Sequence, residues 1–257
     1  PFQPVAVEDI ASTIAWLAAR PLEDEMANAV TWDLMQQDAV TLGGVIDHFR
    51  VAFGTARMPR ITLPPLLLDA GALAGDLVSQ LGWMPPMRST AIAELRRGVS
   101  GDPQGWMTAT GIAPKRIDET VGCHGASIQD KWFARLFLVK ALVIASLALF
   151  WIASGLIALV ISFPATTAIL TSRGWPEAFA VPFAAITSMM DIGIGVLIAF
   201  RRTAAFGLIA GILISLGYMA GCAIFTPDLW LEPLGALVKT GPAIVLMLVA
   251  LLTLDNR

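Results

Sequence analysis

Residues 141–172 read ALVIASLALFWIASGLIALVISFPATTAILTS and contain no charged side chain; residues 203–227, TAAFGLIAGILISLGYMAGCAIFTP, contain none either. A helix needs about 20 apolar residues to cross a hydrocarbon core about 30 Å thick, and both runs exceed that. Four segments of this kind stand out, near 136–163, 178–200, 203–225 and 234–254, so residues 127–257 are expected to form a four-helix transmembrane bundle. Composition points the same way. The 257 residues are 56% hydrophobic and 14% charged, with mean hydropathy +0.71 and net charge −3, whereas soluble domains carry roughly 25% charged residues. Nine charged residues fall in 136–254 and twenty-six in 1–135, so the deficit belongs to the second half and residues 1–126 read as a water-facing lobe.

The positive charges sort by side. Lys131, Arg135, Lys140, Arg201, Arg202 and Arg257 flank one end of the segments, and Arg173 and Lys239 fall near the other. By the positive-inside rule both termini are cytoplasmic, and the expected location is a bacterial cytoplasmic membrane, with the lipid bilayer as the first partner. The acidic balance and scattered arginines exclude nucleic acid.

The first half predicts strand, helix, strand, helix. Val5 and Val7 alternate like the end of a strand, and Ile10, Ile14 and Leu17 share one face of a helix that has Glu8 and Asp9 in its first turn and Pro21 at its end. Ala29–Met35, where Val30, Trp32 and Leu34 alternate with Thr31 and Asp33, predicts a second strand. Thr41 caps a helix over Leu42–Phe53, stopped by Gly54. Further helices are expected over Leu66–Leu81, over Thr90–Arg97 and from Pro114, with Gly82–Pro86 and Gly98–Gly105 as irregular connections. The lobe is short and loop-rich, and the chain opens at Pro1 without an initiator Met or a signal segment, so it is expected to be a fragment whose start lies upstream. The expected fold class is mostly α: a truncated α/β lobe followed by the four-helix bundle.

The polar residues inside lipid carry the functional signal. Asp191 lies ten residues before Arg201, hence about 15 Å from that edge and near mid-bilayer, where an ionised Asp costs at least ~2.5 kcal/mol. Tyr218, sixteen residues after Arg202, and Lys239, sixteen before Asp255, both lie about 24 Å from the same edge, some 9 Å from the level of Asp191. Intramembrane ionisable groups mark proton or ligand paths, so Asp191, Tyr218 and Lys239 are the candidates for one polar cavity. The bland alternative is that Lys239 snorkels to the headgroups and Asp191 bonds a neighbouring helix. Thr203, Gly207, Gly211 and Ser215, with Gly217 and Gly221, recur at four-residue spacing and read as a packing seam.

Other chemistries lack residues. Haem ligation usually needs His, yet His48 and His124 both precede the spans. Cys123 and Cys222 make no paired motif, Cys222 reads as a small buried hydrophobe, and Cys123 with His124 gives too few ligands for zinc. No metal site is expected, and no catalytic residue is assigned.

Two resemblances add to this. Pro1-Phe2-Gln3-Pro4-Val5-Ala6-Val7-Glu8-Asp9-Ile10-Ala11 resembles the P-V-H-V-D-D-V-A segment of extended and atypical short-chain dehydrogenase/reductases, with Ala6 where that family often has His. The resemblance covers about residues 1–100 and implies that residues 1–126 are a truncated substrate lobe. The Gly-rich dinucleotide turn and the Tyr-x-x-x-Lys pair of that family are not in this chain, so NAD or NADP would be bound upstream and no cofactor by these residues. The run Leu229-Trp230-Leu231-Glu232-Pro233-Leu234-Gly235-Ala236-Leu237-Val238-Lys239-Thr240-Gly241-Pro242 is similar to the L-W-L-D-P-L-G-P-L-x-K-N-x-P signature of the DoxX-like membrane family, with Glu232 for Asp and Thr240 for Asn. The connecting stretch Ser127–Leu136 looks like that of proteins joining the two parts, an architecture thought to be oxidoreductase. Relatives of the membrane domain have been linked to quinone-coupled sulfur oxidation, an analogy only.

The resemblances together imply a membrane-anchored NAD(P)-dependent oxidoreductase acting on a lipophilic small molecule or quinone, inactive as this fragment alone. The alternative is a non-enzymatic anchor or assembly protein with a degenerate dehydrogenase-like lobe, working as a homo-oligomer or in a membrane complex.

Overall fold

A computed structural model describes residues 1–19, 30–55, 59, 62–123, 127–231 and 236–254. The chain divides into two compact units, Pro1–Ala72 with Met87–Ala134, and Leu73–Pro86 with Arg135–Arg257.

The first unit is helical where the sequence predicts an α/β lobe. Its helices are α1 (Val7–Ala18), α2 (Leu42–Ala52), the start of α3 (Pro65–Gln80), α4 (Ser89–Arg97), α5 (Gln104–Thr110) and α6 (Ile117–Cys123). Among the described residues there is no sheet. Phe2 alone makes β-bridges, antiparallel to Val40 and parallel to Val99. The expected strand end at Val5–Val7 does not form, because Val7 opens α1. The expected strand over 29–35 does not form over its described residues 30–35 either. Trp32 and Leu34 are half-buried while Thr31 and Asp33 are exposed, so the alternation holds over 31–34, although Val30 is exposed. Alternation reports a chain with two faces, however, and a strand also needs a neighbour for its backbone groups. Ala29 and the predicted stop at Pro21 lie outside the described residues.

Side chains hold this sheetless unit together. Gln3 Nε2 donates to the carbonyls of Gln36 (3.0 Å) and Gln37 (3.2 Å), and its Oε1 accepts from Gly101 N at 3.0 Å. Gln36 Oε1 accepts from Ile117 N at 3.0 Å. Asp9, buried in the first turn of α1, accepts from Lys115 N at 2.8 Å. The fully buried Trp106 donates to Thr13 Oγ1 at 2.9 Å. The glutamine and aspartate bonds satisfy loop backbone that a sheet would otherwise pair, and the Trp106 bond joins two side chains of the core.

Several helix signals hold. Thr41 Oγ1 accepts from Gly44 N at 3.1 Å and caps α2, and Gly54 takes φ 61° just beyond it, the left-handed stop that glycine permits. Two differ. α6 begins at Ile117 rather than Pro114, where Arg116 N donates to Glu119 Oε2 at 3.1 Å. α5 begins inside the expected connection Gly98–Gly105, where Asp102 Oδ1 accepts from Gln104 N at 3.0 Å, and continues to Thr110 through residues given no element from the sequence.

The second unit contains most of α7 (Ile128–Leu156), a π-helical turn (Ile157–Ile161), α8 (Phe163–Ser172), α9 (Glu177–Ala199), α10 (Ala204–Phe225), a 3-10 turn (Pro227–Leu231) and α11 (Ala236–Leu252). Ile128–Ile161, Glu177–Ala199 and Ala204–Phe225 are long and apolar enough to cross a membrane. The fourth expected span, 234–254, is helical over the 17 residues of α11 and ends at Leu252, two residues early, while residues 234 and 235 lie outside the described residues. The first span also ends differently: Ser162 N bonds back to Ile157 O at 2.8 Å in the π turn, and Pro164 starts α8, because proline cannot donate to a continuing ladder. Trp151, Ile194, Ile198, Leu208, Met247 and Leu254 are at the centre of the bundle core.

Candidate functional site

Backbones in the bundle approach closely at glycine. A Cβ on Gly155 of α7 would lie 2.5 Å from Ser188 O and 2.9 Å from Ile192 N, and one on Gly195 of α9 would lie 2.7 Å from Ile152 N and 2.8 Å from Ala148 O. Helices α7 and α9 therefore meet along their main chains, on both sides of Asp191 in sequence. A Cβ on Gly207 of α10 would lie 2.8 Å from Ile198 N, so α10 closes on α9 in the same way. The predicted seam is thus half used: Gly207 and Gly211 face neighbours, whereas a Cβ on Gly217 or Gly221 would meet nothing within 4 Å.

This packing brings two of the three candidates together. Asp191 on α9 is buried at 9% exposure, and Tyr218 OH on α10 donates to its Oδ1 at 3.2 Å. Ser188, one turn earlier on α9, is buried and donates to Ala184 O at 2.8 Å. Lys239 sits on α11 as an exposed side chain and is not hydrogen-bonded to the pair.

Sequence reasoning passed over Trp151. Its ring is buried in the core beside Gly211, and among the described residues its Nε1 is a buried donor with no hydrogen-bond partner. A tryptophan in an apolar run reads as bulk, and only packing reveals whether the N–H is spent.

The two ends of the bundle are tied by cations. Arg201 donates to Leu254 O at 2.6 Å, and Lys140 Nζ donates to Thr253 O, so two positive groups meet the carbonyl end of α11, as the helix dipole favours. At the other end Arg173 makes a two-pronged bond to Asp228, at 2.9 and 2.5 Å. The Arg173 guanidinium holds the Asp228 carboxyl below its ordinary range.

In the first unit a pocket of about 150 Å³ is lined by Ala6, Gln36, Phe49, Lys115 and Ile117 among others. Ligand sites usually occupy about 300–1,000 Å³. His48 lies on α2, half-buried, and Cys222 is a half-buried thiol on α10. Among the described residues no group of three His, Cys, Asp or Glu could hold a metal. His124 lies outside the described residues.

Residues 148–248 match the model of the DoxX-like family. The match takes in Trp151, Asp191, Tyr218 and Lys239, and the apolar helices with it make this a membrane-embedded chain in contact with lipid. No curated protein and no solved structure matches the chain.

Proposed function

We propose that the chain is the membrane-embedded part of an NAD(P)-dependent oxidoreductase of the bacterial cytoplasmic membrane, both termini cytoplasmic, whose lipophilic substrate or quinone meets the Asp191–Tyr218 pair. The observation that carries this reading is the hydrogen bond between those two side chains inside a DoxX-like bundle. Polar groups are costly there, and such pairs belong to ligand or proton paths. Tyr218 spends its proton on Asp191 and keeps an acceptor oxygen, while Asp191 keeps a second carboxyl oxygen. Together they suit a headgroup carrying a carbonyl or hydroxyl. The nicotinamide supplies hydride and would be held by the nucleotide-binding half that the dehydrogenase resemblance implies, not by these residues. Lys239 is the third candidate, a cation on α11 that guides the headgroup from the exposed surface.

A second reading, a non-enzymatic anchor for a homo-oligomer or membrane complex, is favoured by the small size of the first unit's pocket. Photolabelling the chain in lipid nanodiscs with a short-chain azidoquinone separates the two. On the enzyme reading, label enters α9 and α10 peptides, unlabelled quinone competes, and Asp191→Asn and Tyr218→Phe each reduce it. Labelling that ignores both substitutions and the competitor overturns it.

A further inference from the structure

The part of α3 that belongs to the membrane unit is built inside out for a helix in water. Leu73 and Leu77, one turn apart on one face, are each 64% exposed, and Met84 just beyond the helix is 88% exposed. Gly75, between them, is buried. A water-facing helix turns its large apolar residues inward and its polar ones outward; here a glycine faces in and the leucines out.

The next residues fix the level of this face. Gly82, at φ 85°, turns the chain so that Trp83 folds onto the end of the bundle. Trp83 Nε1 donates to Ala199 O at 2.7 Å, at the last residue of α9, and the ring packs against the bundle core. Arg201 N donates to Leu81 O at 2.9 Å, and the Arg201 guanidinium lies 5.6 Å over the Trp83 ring while bonding Leu254 O beyond α11. Residues 81–83 are therefore held at the plane where α9 ends and α10 begins, and the exposed leucine face leads directly into them. Tryptophan is favoured at that plane, and the exposed Arg202 adjoins it, where anionic headgroups attract arginine.

We propose that residues 73–84 are an interfacial segment, with Leu73, Leu77 and Met84 set into the headgroup and acyl boundary of the bilayer that the bundle spans. An amphipathic helix held at this depth lies in the plane of the membrane. The segment fixes the height of the bundle in the bilayer, with Trp83 and Arg201 as its clasp.

The test places one nitroxide at a time on the full chain, through Leu73→Cys, Leu77→Cys or Met84→Cys, with Thr108→Cys, exposed on α5 of the first unit, as the aqueous reference, each in a Cys123→Ser, Cys222→Ser background. The protein is reconstituted in phosphatidylethanolamine and phosphatidylglycerol vesicles. Collision with oxygen relative to a water-soluble nickel complex is expected to be several-fold higher at 73, 77 and 84 than at 108. Nickel collision at 73 and 77 equal to that at 108 overturns the proposal by showing water. An immobilised spectrum shielded from both reagents overturns it by showing a protein partner or a second copy. Met84, outside the helix, keeps the test readable should a helix variant fold poorly.

Discussion

The two units solve the problem of buried polar backbone in opposite ways. Around Gly155 and Gly195 main chain meets main chain with no side chain between, every peptide group being already spent within its own helix. In the unit of α1, α2 and α6 the loops carry unspent groups, and Gln3, Asp9 and Gln36 reach from one segment to bond the backbone of another. The difference follows from where the backbone is already paired. Lipid offers no hydrophobic drive between helices and tolerates no unsatisfied backbone, so glycine and close approach do the work. A sheetless lobe is stable only if its buried loop groups find partners, which makes its buried polar side chains structural.

Substitution should separate the two regimes. The largest effect is expected in the first unit, where Trp106 is fully buried and bonded to Thr13. Trp106→Ala should cost about 3–5 kcal/mol and be read as faster hydrogen exchange across α1 and α5. Next is Gly195→Leu in the bundle, which drives carbon into the backbone of α7 and should cost about 3 kcal/mol as a lower melting temperature in nanodiscs. Its control is Gly217→Ala, where a Cβ meets nothing within 4 Å. That change should leave stability equal or slightly higher, by about 0.5–1 kcal/mol. If both glycine variants behave alike, the close-approach account of the bundle fails.

Gln36→Ala should cost about 1–3 kcal/mol, because Ile117 N is left buried without its acceptor. An effect near zero would mean that water replaces the amide, and the contrast between the units would shrink. Tyr218→Phe removes one hydrogen bond inside the membrane, where such bonds average about 0.6 kcal/mol. A small stability change together with loss of azidoquinone labelling would assign the pair to ligand binding; a large one would make it part of the scaffold.

What the sequence discloses follows the same division. Long uncharged runs mark the spans because lipid imposes one requirement on every residue in them. Asp191 and Tyr218 stand out by depth arithmetic alone, and the structure joins them. Lys239 has the same depth signal, but depth does not say which face of α11 a residue takes, and it is exposed. Thr41 and Gly54 were legible at the ends of α2 because a cap is local chemistry. The strand expected over 29–35 was not, since pairing depends on a partner elsewhere in the chain. Helix α5 hid in a run rich in glycine and proline, and it forms around Trp106, whose burial is a tertiary fact.

The smallest expected effect concerns the far end of the bundle and is a matter of pH. The hydrogen bond from Arg173 keeps the folded Asp228 carboxyl below its ordinary value of 3.8. A depressed carboxylate contributes stability that is complete above the unfolded value and is lost as pH falls through the folded one. Melting in nanodiscs should therefore show no contribution from this pair changing between pH 5 and 8, and a loss only below about pH 4. Asp228→Asn should remove that acid limb and little else, because Asp228 is exposed and surface ion pairs are weak. A loss already visible at pH 6 would assign the acid sensitivity to a group other than Asp228, and the tie between the turn after α8 and the turn before α11 would then be held by packing rather than charge.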